Sequence, residues 1–286
     1  MSNETTLQPL VSVILATRNE EQNVERCLQS VKDQTYSRIE IFVIDNDSGD
    51  ATLSLASKYT PNLYNLKDHI SVEGIKNFRG AQVNFGVKKC GGDIIFYPDA
   101  DMTFDSNLIE EAVNLLKTFD ALFIPEVVLG KGLFGKIRNF ERSFYNMTPI
   151  DAPRFVKKNS FLKIGGFDEK NIHFGPDDWD ITKNLKNAGL GFGITSSKKY
   201  HHEEWLDLKT YLKKKKKYIN IFQSYIEKWG SKDPDIRKQF GIKYRFFGVF
   251  FEKGKWKRLI CHPNLTIGMF FLRFLVGLNF LIKKSY

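Results

Sequence analysis

Short apolar runs alternate with amphipathic stretches through the first half of the chain. Leu10–Ala16 (LVSVILA) is apolar nearly throughout, as a strand covered on both faces requires. Asn23–Val31 then places Val24, Cys27, Leu28 and Val31 on one helical face, and Ile39–Ile44 (IEIFVI) reads as a second strand. Strand, helix and strand in this order predict a βαβ unit with a parallel pair. The pattern continues with a helix over Ala81–Lys88, a third buried strand over Asp93–Tyr97 and a short strand over Ala121–Pro125. Ser106 is expected to cap a helix that turns Ile109, Val113 and Leu116 inward. The fold class is therefore α/β, a mostly parallel sheet flanked by helices.

Beyond Pro153 the rhythm is less regular. A turn is expected at Gly165-Gly166, and Asp177-Asp178-Trp179-Asp180 precedes a helix over Ile181–Ala188. Leu206–Trp229 reads as one long helix carrying Lys213 to Lys217, with Tyr211, Tyr218 and Phe222 on its core side and a break at Pro234. Leu265–Ile282 is mostly apolar but contains Arg273 and Asn279. A membrane-crossing helix needs about 20 apolar residues, and a central Arg is costly in lipid, so an interfacial or re-entrant helix is expected ahead of a single membrane-crossing segment.

Charge divides the chain. Residues 207–286 hold 19 Lys and Arg against 5 Asp and Glu, although the whole chain of 286 residues carries only +10. The organisation expected is a catalytic domain over 1–206, with a donor half over 1–105 and an acceptor half over 106–206, and a basic helical extension over 207–286. A basic apolar segment suits the anionic face of a membrane. Nucleic acid is not expected as a partner, since no recognisable basic-aromatic module is present. Cys27, Cys90 and Cys261 lack metal-site spacing and read as reduced thiols. The first apolar stretch is too short for a signal-peptide core, which predicts a cytoplasmic protein held peripherally on the inner face of the cell membrane.

Candidate chemistry gathers where strands end. Asp99-Ala100-Asp101 follows the third strand, and a short Asp-x-Asp there suits Mg²⁺ or Mn²⁺, hard ions that take carboxylate oxygens and leave positions open for a diphosphate. Asp177-Asp178 offers a carboxylate at a helix start, where a general base is kept ionised. His201 and His202 could add an imidazole to the metal site. Each of these features also has a plain reading as a helix cap or a solvated cluster.

Taken in order, the motifs from Val11 to His202 resemble the family-2 glycosyltransferases of the GT-A, Rossmann-like fold. Val11-Ser12-Val13-Ile14-Leu15-Ala16-Thr17-Arg18-Asn19-Glu20 is similar to that family's opening strand and nucleotide-contacting loop, which implies donor contacts from Thr17, Arg18 and Glu20. Val43-Ile44-Asp45-Asn46-Asp47-Ser48-Gly49-Asp50 resembles its second motif and implies that Asp45 meets the nucleobase. Arg79 looks placed to approach the diphosphate, and Asp99, Ala100 and Asp101 match the metal motif, with Asp101 the direct ligand and Asp99 serving the metal or the donor ribose. Gly165-Gly166-Phe167-Asp168 and the following acidic cluster match the acceptor side, which implies Asp178 as base with Asp177 beside it.

The resemblance implies an inverting, metal-dependent transferase that moves a sugar from a nucleotide-diphosphate sugar to a hydroxyl of a lipid-linked or glycan acceptor. This chain departs from the family's usual Glu at Asp177 and from its usual Thr-Tyr-Asn at Thr17-Arg18-Asn19. Two other readings are open. Asp99-Ala100-Asp101-Met102-Thr103 also fits haloacid-dehalogenase-like phosphatases, with Asp99 as nucleophile, and a non-catalytic, membrane-attached scaffold would use only the basic extension.

Overall fold

The computed structural model describes residues 8–217 and 221–283. Strands β1 (Val11–Thr17) and β2 (Ile39–Asp45) flank helix α1 (Val24–Lys32), and α2 (Thr52–Ala56), β3 (Leu63–Asn65), α3 (Phe78–Lys89) and β4 (Ile94–Phe96) follow. β1 to β4 run parallel in a seven-stranded sheet in which β1 lies between β2 and β4. Side chains alternate across β1: Val11, Val13 and Leu15 join the core under α1, while Ile14 joins the one under α3. Burial on both faces explains why the strand reads as continuously apolar.

The second half interleaves with the first. After β5 (Met102–Phe104), α4 (Leu108–Leu115), β6 (Ala121–Phe123), β7 (Glu126–Leu129) and α5 (Gly132–Arg142), strand β8 (Phe155–Lys157) inserts antiparallel between β4 and β6. The chain continues through α6 (Lys158–Lys163), α7 (Asp177–Asn187), β9 (Phe192–Ile194) and β10 (Lys199–His202). β9 closes the edge of the large sheet, and β10 sits between β5 and β7 in a separate three-stranded sheet. Gly165 and Gly166 take φ of +79° and +73°, and a Cβ on Gly166 would lie 2.4 Å from the Asn84 side-chain oxygen, so that turn requires glycine. Ser106 does not cap α4; Asn107 precedes it without a side-chain cap, and the Ser106 carbonyl instead accepts from the Thr35 N–H (2.8 Å).

The helix expected over 206–229 is two: α8 (Leu208–Lys217) and α9 (Gln223–Trp229). Tyr218 lies outside the described residues. α10 (Pro234–Phe240) follows, with Pro234 at its first position and Asp233 accepting from the Asp235 and Ile236 N–H groups, so Pro234 starts a helix as much as it breaks one. After a π-helical turn over 244–248 come α11 (Val249–Phe251), α12 (Trp256–Cys261) and α13 (Pro263–Lys283). Phe140 and Phe144 pack with Val249, Phe250 and Met269, which fastens this region to α5.

α13 settles the question posed by its arginine. Arg273 is buried and donates to Glu141 on α5 (2.7 Å) and to the Tyr145 hydroxyl (2.8 Å), so its charge is met by protein and not by lipid. No helix, among the described residues, is long and apolar enough to cross a membrane. The three cysteines are unpaired.

Candidate active site

The carboxyl ends of β1 and β4 and the start of α7 open onto one cavity of about 1280 Å³. Two loops frame its donor side. Asn19, at φ +55°, donates its N–H to the Ser48 hydroxyl (2.8 Å) and accepts from the Gly49 N–H (2.9 Å), which ties the loop after β1 to the loop after β2. The Thr17 hydroxyl donates to Asp45 (2.8 Å), which also accepts from the Ser48 N–H (2.7 Å) and hydroxyl (2.6 Å). Asp45 is wholly buried and both of its oxygens are engaged. In this arrangement Asp45 ties the loop after β2 to the end of β1. Arg18 and Glu20 line the cavity itself.

Asp99-Ala100-Asp101 is pinned against the end of β1 by a bridge between Ala16 and Asp99, and Ala100 is buried between the two carboxylates. The two carboxylates have different company. Asp99 accepts from the Arg79 Nε (3.0 Å) and the Arg154 Nη2 (3.0 Å). Asp101, in the turn before β5, has its Oδ2 3.0 Å from the Nε2 of His201 on β10. Burial works against a charged His201, but its hydrogen bonds to Asp101 and Glu126 prevail and push it up to about 10. The His202 ring has other partners: its Nε2 lies 3.0 Å from the Thr103 hydroxyl and its Nδ1 3.1 Å from Glu204, while its backbone N–H donates to the Asp101 carbonyl (3.0 Å).

Among the described residues no three His, Cys, Asp or Glu side chains form a ready-made metal cage. The donor set still fits Mg²⁺ or Mn²⁺ of the kind held jointly with a diphosphate, which needs only one or two protein carboxylates. Glu20 adds a sign that positive charge is wanted here: burial raises its carboxyl, and the nearby Asp101 and Asp99 add to the rise despite a hydrogen bond from Asn23.

Asp177 and Asp178 occupy the first turn of α7 and line the same cavity. Asp177 is nearly inaccessible and accepts from the Gly175 N–H (2.8 Å), Asn77 (3.3 Å) and Arg79 (3.3 Å). Asp178 is partly open to the cavity, accepts from Arg79 (3.1 Å), and is held by both terminal nitrogens of Arg154 at 2.7 and 2.8 Å. Burial opposes the Asp178 charge, yet Arg154 and Arg79 outweigh it and keep the carboxyl well below its ordinary range. Asp177, buried beside the charged Asp178, is raised.

The structure thus brings Thr17, Arg18, Glu20, Arg79, Asp99, Ala100, Asp101, Asp177, Asp178 and His201 to one cavity. Arg154 was not foreseen. It precedes β8, and only the antiparallel insertion of that strand beside β4 carries its guanidinium to Asp99 and Asp178.

Residues 12–173 match the family model described as Glycosyl transferase family 2. The chain belongs to that family. Over 114 residues it is 32% identical to Glycosyltransferase AglE of Haloferax volcanii, a match covering 39% of this chain and 37% of AglE. Over 140 residues it is 26% identical to the Escherichia coli UDP-Glc:alpha-D-GlcNAc-diphosphoundecaprenol beta-1,3-glucosyltransferase WfgD, covering 48% of this chain and 54% of that one. The chain therefore spans between a third and little more than half of the length of these two relatives. The mannosyltransferase PcManGT of Pyrobaculum calidifontis, solved in complex with GDP-Man and Mn²⁺, superposes with a TM-score of 0.59 over 98% of this chain and 89% of its own, at 16% identity. The shared fold is GT-A. Family membership leaves the phosphatase reading of Asp99 without support.

Proposed function

We propose that this family-2 chain is an inverting glycosyltransferase that moves a sugar from a nucleotide-diphosphate sugar to an acceptor hydroxyl. The observation that carries the reading is the convergence of Asp101 and Asp178 on one cavity, with Arg79 reaching from Asp99 to Asp178. A carboxylate for a metal-bound diphosphate and a carboxylate for a proton are what a single displacement at a sugar carbon requires.

The residues then divide the work. Thr17, Arg18 and the Asp45 loop frame the nucleotide. Asp101, helped by Asp99 and by His201 once it gives up its proton, holds Mn²⁺ or Mg²⁺, as the Mn²⁺ complex of PcManGT suggests. That ion supplies positive charge to the departing diphosphate. Arg79 adds a fixed cation on the same side. Asp178 takes the proton from the acceptor oxygen as that oxygen bonds to the sugar carbon and the bond to the diphosphate breaks. Asp177 stays buried and locks the start of α7.

A lipid-linked acceptor at an anionic membrane face is the finer part of the proposal. Ile267, Phe271, Phe274 and Leu278 lie on one exposed stripe of α13, and the surrounding segment is strongly basic. The name of WfgD describes a diphosphoundecaprenol-linked acceptor for that relative. The test is a panel of nucleotide sugars with Mn²⁺, reading nucleoside diphosphate release and product anomeric configuration. One donor is expected to turn over with inversion. Turnover of none, or a retained anomeric centre, would overturn the reading.

A further inference from the structure

The cavity that holds Asp101 and Asp178 continues beyond the sheet. It runs on beneath α8, the 244–248 turn and α13, where Lys214, Lys215 and Arg245 share its lining with Phe246, Phe274 and Leu278. Charge here is unbalanced. Arg273 pairs with Glu141 (2.7 Å), and Arg138 pairs with Glu141 (3.1 Å) and Glu203 (3.3 Å), which occupies the acidic groups nearby. Among the described residues Lys214, Lys215 and Arg245 have no ion-pair partner, and the buried Nη1 of Arg245 has no hydrogen-bond partner.

Lys215 is the most telling of the three. Its ammonium lies 5.2 Å over the Tyr211 ring, and burial, with Arg138 adding to it, pulls its pKa down to about 7. A lysine whose charged form is disfavoured in this way is stabilised by any anion that enters. The apolar neighbours limit what kind of anion fits. Phe274 and Leu278 belong both to the cavity lining and to the exposed stripe of α13, so one cavity joins the carboxylates of the proposed active site, three cations and an apolar opening.

Resting on the transferase reading above, we infer that Lys214, Lys215 and Arg245 hold the phosphate or diphosphate of a lipid-linked acceptor whose apolar chain leaves past Phe246, Phe274 and Leu278. The anion is thereby the acceptor's own, set a fixed distance from the hydroxyl that faces Asp178. A bilayer headgroup would offer similar chemistry from a different source, and the test separates the two.

The experiment uses the full chain in EDTA, so that metal at Asp101 plays no part, and measures calorimetrically the binding of farnesyl diphosphate, farnesol and inorganic pyrophosphate. Farnesyl diphosphate is expected to bind more tightly than either of the others. Lys214→Gln/Lys215→Gln should weaken it by about tenfold or more at unchanged Tm, whereas the exposed pair Lys213→Gln/Lys216→Gln should leave it intact. Arg245→Gln provides a second variant if the lysine pair lowers Tm. Equal binding of farnesol, equal binding by the cavity variants, or equal loss in the exposed pair overturns the inference. So does a result in which the cavity lysines govern binding to phosphatidylglycerol vesicles and not to farnesyl diphosphate. If the parent protein binds farnesyl diphosphate as expected but turns over no nucleotide sugar, the anion site stands and the transferase reading falls.

Discussion

Arg154 grips Asp178 through both terminal nitrogens, at 2.7 and 2.8 Å, while its Nη2 also reaches Asp99 at 3.0 Å. One guanidinium therefore couples the proposed base to the metal motif. A bidentate pair of this kind keeps Asp178 ionised but lowers its basicity. The acceptor must then share or loosen the grip of Arg154 before Asp178 takes a proton. Arg154→Met tests this. With one cation gone, the Asp178 carboxyl rises from its depressed position, so the acid limb of the kcat profile is expected to move to higher pH, which pH–rate measurements would show. An unshifted limb would mean that Arg154 does not act on the base.

Removing the base itself is a different experiment. Asp178→Asn keeps the shape but gives up one acceptor to the arginines and cannot accept the proton, and kcat is expected to fall by roughly 10²–10⁴-fold with little change in donor KM. Asp177→Asn should act mainly through stability, because Asp177 is inaccessible and bonded to the Gly175 N–H and Asn77. Steady-state kinetics beside thermal melts separate the two positions, and an equal kcat loss at both with unchanged Tm would contradict the division of labour.

Metal removal is expected to abolish nucleoside diphosphate release, and Asp101→Ala should weaken Mn²⁺-dependent donor binding in calorimetry. His201→Gln should weaken metal binding less than Asp101→Ala but flatten its pH dependence. A charged His201 paired with Asp101 has to lose its proton before it can ligate, so metal affinity should rise with pH in the parent protein. His202→Gln should change none of these, since His202 faces Thr103 and Glu204.

These contrasts mark where the sequence could be read and where it could not. β1, α1 and β2 were legible because each is long enough to show its period, and Asp101 and Asp178 because strand ends and helix starts position short polar motifs. The small sheet was not legible, since β5 has three residues and β10 four, and a period of two cannot declare itself over so short a run. What separates His201 from His202 there is long-range contact, with Asp101 for one ring and with Thr103 and Glu204 for the other. Arg154 lies in an irregular stretch without a motif, and its place at the site depends on the neighbour that β8 acquires across some 60 residues of chain, which is tertiary information. Arg273 misled for a related reason: its partner Glu141 is 132 positions away.

Glu141 carries a prediction about stability. Burial opposes its charge, but Arg273 and Arg138 prevail and bring its carboxyl from 4.5 down to about 2. Because the folded-state value is the lower one, the stability it contributes is fully present above about pH 4.5 and is lost as pH falls towards 2. Arg273→Met leaves a buried carboxylate short of one partner and is expected to cost about 3–5 kcal/mol, read as a lower denaturation midpoint. The double variant Glu141→Gln/Arg273→Met should recover much of that loss, and its acid unfolding should set in at lower pH than that of Arg273→Met. Full additivity of the two substitutions would show that the pair does not hold α13 to α5.

The outer face of α13 is where the proposed attachment to a membrane can be tested. Phe271 and Phe274 are both more than half exposed and lie on the stripe that includes Ile267 and Leu278, while the inner face is committed to α5 and α8 through Met269 and Leu272. Exposed aromatic side chains beside a basic segment are expected to partition into an anionic interface, with apolar burial and charge attraction acting together. Flotation with phosphatidylglycerol vesicles should therefore recover the parent protein, phosphatidylcholine vesicles should recover less, and high salt should weaken binding without abolishing it. Phe271→Glu/Phe274→Glu should eliminate flotation at unchanged Tm, because neither ring belongs to the buried core of the helix. Equal recovery by neutral and anionic vesicles would reduce the basic segment to a solvated surface, and flotation of the double Glu variant would place the contact elsewhere on the molecule.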